Sequence, residues 1–141
     1  MGVNAFIDAN VFIWAEERPN SNAAKIMGLI AEKKLDVVIN QKILDEVFKY
    51  YITFYNKTKA SDYRFLLLQS CNVIQQDQIE KELEEWSGKI KKKDLPHLAA
   101  VKAFHIPYLV SLDRDFKKFK EYYTPKQFIQ LLRLKPAKTD Y

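Results

Sequence analysis

Two periods of apolar residues run along this chain. Short runs at Val3 to Asp8, Val37 to Ile39, Asn72 to Ile74 and Tyr108 to Leu112 are apolar, and mostly β-branched or aromatic. Runs of this length bounded by polar residues predict strands, the first buried on both faces and the second also buried. Between them the period lengthens. Ala24, Met27, Ile30 and Ala31 share one face of a helix over Ala23 to Lys33. Ile43, Leu44, Val47, Phe48, Tyr51 and Phe54 make a broader stripe over Gln41 to Tyr55. Further helices are expected at Val11 to Glu16, Ser61 to Leu68, Gln78 to Lys92, Leu95 to Phe104 and Thr124 to Leu132.

The punctuation agrees with this division. Asp8 or Asn10 can cap the first helix, Asn40 the third, and Asp94 the helix carrying Pro96 in its first turn. Strands and helices alternate, so the expected class is α/β: a three-layer α/β/α arrangement on a mainly parallel sheet of four to five strands. At 141 residues the chain reads as one domain over 1–134, followed by a polar tail over 135–141.

Composition narrows the function classes. With 48% hydrophobic and 29% charged residues the chain is globular, and a net charge of +5 leans towards an anionic partner. The single Cys71 excludes an internal disulfide and a cysteine zinc site, and reads as a small buried hydrophobe. No stretch approaches the ~18 apolar residues of a membrane helix. Asp8 interrupts the only apolar segment near the start, so a cytoplasmic protein without membrane attachment is expected.

The chemistry lies in the acids. Asp8 ends the first strand and Asp113 follows the fourth, with Asp115 two residues on. Open α/β sheets place ligands at the carboxyl ends of their strands. Asp94 stands at a helix start. Glu46 falls at the edge of its helix's apolar arc, while Asp45 points away from it. Taken singly, Asp94 reads equally as a helix cap, Asp113 as a turn residue, and Glu46 as a flank residue beside Lys42 or Lys49. Together they would repel unless a cation neutralised them, and hard oxygen donors suit Mg²⁺ or Mn²⁺. His97 and His105 read as structural or exposed.

The segments Phe6-Ile7-Asp8-Ala9-Asn10, Ile43-Leu44-Asp45-Glu46-Val47, Lys93-Asp94-Leu95-Pro96-His97-Leu98-Ala99-Ala100 and Tyr108 to Phe116, followed by Thr124-Pro125, resemble in order and spacing the PIN domain. This is the small metal-dependent nuclease fold that includes the VapC-type ribonuclease toxins. The resemblance implies an endoribonuclease, using one or two Mg²⁺ or Mn²⁺ ions held by Asp8, Glu46, Asp94 and Asp113. It makes Asp115 an accessory acid, and Asn10 and Ser111 polar residues that orient an acid, a water or the phosphate. It also implies an RNA substrate, an antitoxin partner and a homodimer. Lys93 departs from the pattern where many members carry a second acid, and Leu112 where a small or polar residue is common.

Lys91, Lys92, Lys117 and Lys118 flank these acids and are candidates for substrate phosphates, or else solvated charged faces. Two other readings compete with the nuclease. A non-catalytic PIN-like module binding RNA or protein requires an acid cluster incomplete in space. A phospho-acceptor domain requires an acid on a middle strand, which Asn72 to Gln76 does not supply.

Overall fold

In the computed structural model, which describes residues 2–139 and 141, a five-stranded sheet runs in the order β3-β2-β1-β4-β5, every pairing parallel. The strands are β1 (Val3–Ile7), β2 (Leu35–Asn40), β3 (Cys71–Ile74), β4 (Tyr108–Val110) and β5 (Tyr122–Tyr123). Among the described residues the helices are α1 (Ala9–Glu17), α2 (Asn22–Ala31), α3 (Gln41–Phe54), α4 (Lys57–Ser70), α5 (Glu80–Glu85), α6 (Leu95–Ala103) and α7 (Pro125–Leu131). The fold is the expected α/β architecture.

The central strands are buried as their composition requires: Ala5, Phe6, Ile7, Val37, Ile39, Leu109 and Val110 are all at most 1% exposed. From β1 the chain builds outward through β2 and β3, then returns to the other side of β1 with β4 and β5. The order therefore reverses between β1 and β4, and at such a switch point the connections diverge and leave a crevice. Register sets the two strand ends level there. Ile7 pairs with Val110, and the Asp8 amide donates to the Val110 carbonyl at 3.0 Å.

Local sequence fixes most helix starts. Asn40, Asn56, Ser21 and Thr124 each accept a backbone N–H through the side chain, and Thr124 with Gln127 forms a reciprocal capping pair. The expected helix over Gln78 to Lys92 is cut short, because α5 ends at Glu85 and Gly88 takes a φ of 80°. A glycine in this left-handed conformation turns the chain out of the helix. The segment from Trp86 to Asp94 then carries the lysine run as turns to the mouth of the crevice.

The helix expected from Ser61 starts earlier, at Lys57, because Asn56 caps it. β5 escapes the apolar pattern because it is two residues long. The tail folds back: Asn22, fully buried, donates to the Ala137 and Tyr141 carbonyls and the Thr139 hydroxyl, and accepts from the Ala137 amide at 2.7 Å. Cys71 is half-buried, and burial pushes its thiol up to about 12. No helix among the described residues is long and apolar enough to cross a membrane.

Candidate active site

At the switch point lies a cavity of about 280 Å³ lined by Asp8, Asn10, Lys42, Glu46, Lys93, Asp94, His97 and Asp113. All four expected acids are here, delivered by four elements: the end of β1, helix α3, the start of α6 and the loop after β4. Larger hollows lie elsewhere, among them two of about 580 and 620 Å³. One, beside Trp86, is lined by the Lys102–Glu121 ion pair, already closed at 2.8 Å; the other lies between the α1–α2 turn and the tail.

Within the cavity the acids play different parts. Asp8 is 5% exposed and its oxygens are occupied. Oδ1 accepts from the Ala9 amide at 2.7 Å, capping α1, and Oδ2 accepts from the Ser111 hydroxyl at 2.7 Å and from Asn10 Nδ2 at 3.4 Å. Ser111 Oγ in turn accepts from the Asp113 amide at 2.9 Å, and Asn10 Oδ1 from the Leu112 amide at 3.1 Å. Asn10 and Ser111 thus tie the end of β1 to the loop carrying Asp113.

Asp94, also 5% exposed, makes no side-chain capping bond to α6, so the helix-cap reading of it fails. Its Oδ2 is buried without a hydrogen-bond partner. Burial pushes this carboxyl up to about 6, reinforced by Asp113, Asp8 and Asp115 and opposed by Lys93. Carboxylate oxygens of Asp94, Asp113 and Asp115 lie within 4.8 Å of one another. The resemblance made Asp8 and Glu46 metal-holding acids alongside Asp94 and Asp113, and Asp115 an accessory one. In the structure Asp115 joins the tight group, while Asp8 and Glu46 line the same cavity outside it. The reason is local: Asp113 accepts the Asp115 amide at 2.9 Å, a short turn that folds the second acid back on the first. Glu46 is raised by desolvation first and then by Asp8, with Lys42 opposing.

His97 belongs to the site, which the sequence reading did not place there. It is 2% exposed, lines the cavity, and puts Nε2 at 3.6 Å from Asp8 Oδ1. Its tautomer follows from Asn40. The Asn40 Oδ1 already accepts the Ile43 amide, so Nδ2 must donate to His97 Nδ1 at 2.9 Å. The neutral ring then carries its proton on Nε2, facing Asp8. Burial lowers its pKa, against the pull of Asp8. The one available signal was its place three residues after Asp94 on the same helix. His105 is exposed.

The lysines divide similarly. Lys91, expected to hold substrate, is paired with Asp115 at 2.8 Å. Lys92, Lys117 and Lys118 are exposed. Lys42 and Lys93 line the cavity itself, the Lys42 ammonium donating to the Lys93 carbonyl.

Comparison with known proteins agrees with this geometry. A model of the PIN domain matches residues 4–115. The chain belongs to the PIN domain family. The match takes in each of the candidate acids, from Asp8 to Asp115. No curated protein sequence matches significantly. Solved structures share the PIN fold: a toxin–antitoxin complex from Klebsiella pneumoniae is 19% identical, with a TM-score of 0.67 over 86% of this chain and 97% of that one. VapBC-1 from nontypeable Haemophilus influenzae is 16% identical, at 0.66 over 87% and 98%. The sarcin-ricin loop cleaving toxin VapC20 of Mycobacterium tuberculosis is 16% identical, at 0.60 over 80% and 92%.

Proposed function

We propose that this PIN domain is a divalent-metal-dependent endoribonuclease, the toxin of a toxin–antitoxin pair acting in the cytoplasm. The observation that carries the reading is the buried, unpartnered Oδ2 of Asp94, set among carboxylates that lie within 4.8 Å. A buried acceptor without a donor is costly, and a hard cation is the partner that satisfies it while cancelling the repulsion around it. The donor set, oxygen only, fits Mg²⁺ or Mn²⁺. Asp94, Asp113 and Asp115 would hold one ion, with Asp8 and Glu46, which line the same cavity, available to it, to a second ion, or to its waters. Bound there, the metal polarises a phosphate oxygen and lowers the pKa of a coordinated water.

The chain's own groups do the rest. Asn10 and Ser111 hold Asp8 in one rotamer, and His97 keeps a neutral N–H against it, so the wall facing the cluster stays fixed. Lys42 and Lys93 set positive charge at the mouth, where a phosphodiester would enter. The nuclease reading and an antitoxin partner also draw support from the family and from structural neighbours that are a toxin–antitoxin complex and a sarcin-ricin loop cleaving toxin; an RNA substrate and a homodimer rest on the family resemblance alone.

Asp94→Asn tests it. The substitution keeps shape but removes the charge at the buried carboxylate oxygen that has no partner. Mn²⁺-dependent cleavage of single-stranded RNA should fall at least ~100-fold, and Mn²⁺ should no longer raise the melting temperature. Parental cleavage by this variant, or a parent that neither cleaves nor is stabilised by either ion, returns the protein to the non-catalytic reading.

A further inference from the structure

Three carboxylates this close repel one another, and the chain itself supplies a cation to them. Lys91 Nζ donates to Asp115 Oδ2 at 2.8 Å. Its backbone is fixed, because its carbonyl accepts from the Asp94 and Leu95 amides, both at 3.0 Å. The residue is thus anchored to the same helix start that carries Asp94. Its side chain, in contrast, is 63% exposed, and Asp115 is its one ion-pair partner among the described residues. A fixed root and a free head describe a tethered charge. Asp115 in turn belongs to the cluster, with carboxylate oxygens of Asp94, Asp113 and Asp115 within 4.8 Å of one another. Lys42 is placed differently, its ammonium donating to a carbonyl rather than to an acid of the cluster.

We propose that Lys91 is a built-in counter-ion to the acid cluster, displaced from Asp115 when a divalent cation binds and then free to take a phosphate oxygen of the RNA strand. The inference rests on the nuclease reading above. An ammonium and a divalent ion drawn to neighbouring carboxylate oxygens repel each other, so each weakens the other's hold. Lysine suits the exchange, being a point charge on a flexible stem whose pairing does not demand a fixed bidentate geometry. A charge released there sits beside the cavity mouth, two residues before the lining Lys93, where a strand entering the site would pass. The same residue would thus screen the empty cluster and hold substrate at the loaded one.

The test compares the parent with Lys91→Met, Lys91→Arg and Lys92→Met. Mn²⁺ affinity is read by calorimetry and by the loss of the free-ion paramagnetic resonance signal. Lys91→Met should bind Mn²⁺ roughly tenfold more tightly, the scale of one partly solvent-screened charge repulsion removed. Lys91→Arg and Lys92→Met should stay at the parental value. With saturating Ca²⁺, Lys91→Met should bind a short phosphorothioate RNA several-fold more weakly than the parent. Unchanged or weaker Mn²⁺ binding by Lys91→Met overturns the counter-ion role. An equal gain in Lys92→Met overturns it too, by reducing the effect to general charge. Unchanged RNA binding overturns the phosphate role. A parent that binds no Mn²⁺ at all defeats the metal-site reading itself, and this inference with it.

Discussion

At the scale of single residues, the site is a set of acids with unequal freedom. Asp8 spends its lone pairs on Ala9, Ser111 and Asn10, whereas Asp94 keeps one buried oxygen unspent. That difference has a measurable consequence in metal-free protein. The Asp94 carboxyl, pushed up to about 6 in the folded state from an ordinary 3.8, binds its proton more tightly folded than unfolded. Between about pH 4 and pH 6 the folded state therefore holds more protons, and stability falls as pH rises through that window. Glu46 is raised too and acts in the same direction. Asp115, lowered by Lys91, acts in the opposite one, losing stability as pH falls, but it is partly exposed and its effect is screened. In EDTA, urea denaturation of the parent minus that of Asp94→Asn isolates the one carboxyl. The parent should lose about 1–2 kcal/mol relative to the variant from pH 4 to pH 7. A flat difference across that range would show that Asp94 carries no such burden. The same residue marks what sequence could not yield: its spacing from Pro96 suits a cap, and only its side-chain direction reveals that it caps nothing.

At the scale of elements, strands were legible because complete burial demands unbroken apolar runs, and most helices because Asn40, Ser21 and Thr124 announce their starts. What remained illegible depended on contacts far along the chain. β5 exists through pairing with β4, not through two tyrosines' own preference. His97 enters the site only because Asn40, fifty-seven residues earlier, caps α3 and turns its amide towards the ring. The early end of α5 is a different failure, since Leu83, Trp86 and Ile90 keep helical spacing across the break and all three pack against the core. The break itself rests on Gly88. Nothing lies within 4 Å of where its Cβ would be, so Gly88→Ala meets no clash and isolates the backbone cost of φ 80°. That cost is about 1–2 kcal/mol, which lowers the melting temperature by roughly 3–6 °C in a domain this size. Because Lys91 and Lys93 lie on the segment that follows, the variant should also bind Mn²⁺ less uniformly, seen as a broadened calorimetric transition. An unchanged melting temperature would mean that the turn forms without the left-handed residue.

At the scale of the molecule, the order β3-β2-β1-β4-β5 explains why acids spread from Asp8 to Asp115 meet at all: each lies beyond a carboxyl end of the sheet, around the one place where the strand order reverses. The acids make that rim negative, although the chain as a whole is +5. Under the proposed function, lysines close to the site would offset that charge for an incoming polyanion. Lys92 precedes Lys93, which lines the cavity, and Lys117 and Lys118 follow Asp113 in the chain; all three are exposed and are the candidates for this rim. Lys33 and Lys34 precede β2 and so stand at the opposite, amino end of the sheet. If the three rim lysines contact phosphates, replacing them together by Gln removes three released counterions. For a single strand the slope of log affinity against log salt should then flatten by about 2, at ~0.7 per contact. Affinity at low salt should fall, while Mn²⁺ affinity stays near the parental value, since none of the three touches an acid of the cluster. Replacing Lys33 and Lys34 by Gln removes two positive charges, against three in the rim variant, but should leave the slope alone. Equal flattening by both sets would mean that RNA responds to total charge, and an unchanged slope in the rim variant would return Lys92, Lys117 and Lys118 to the solvated surface.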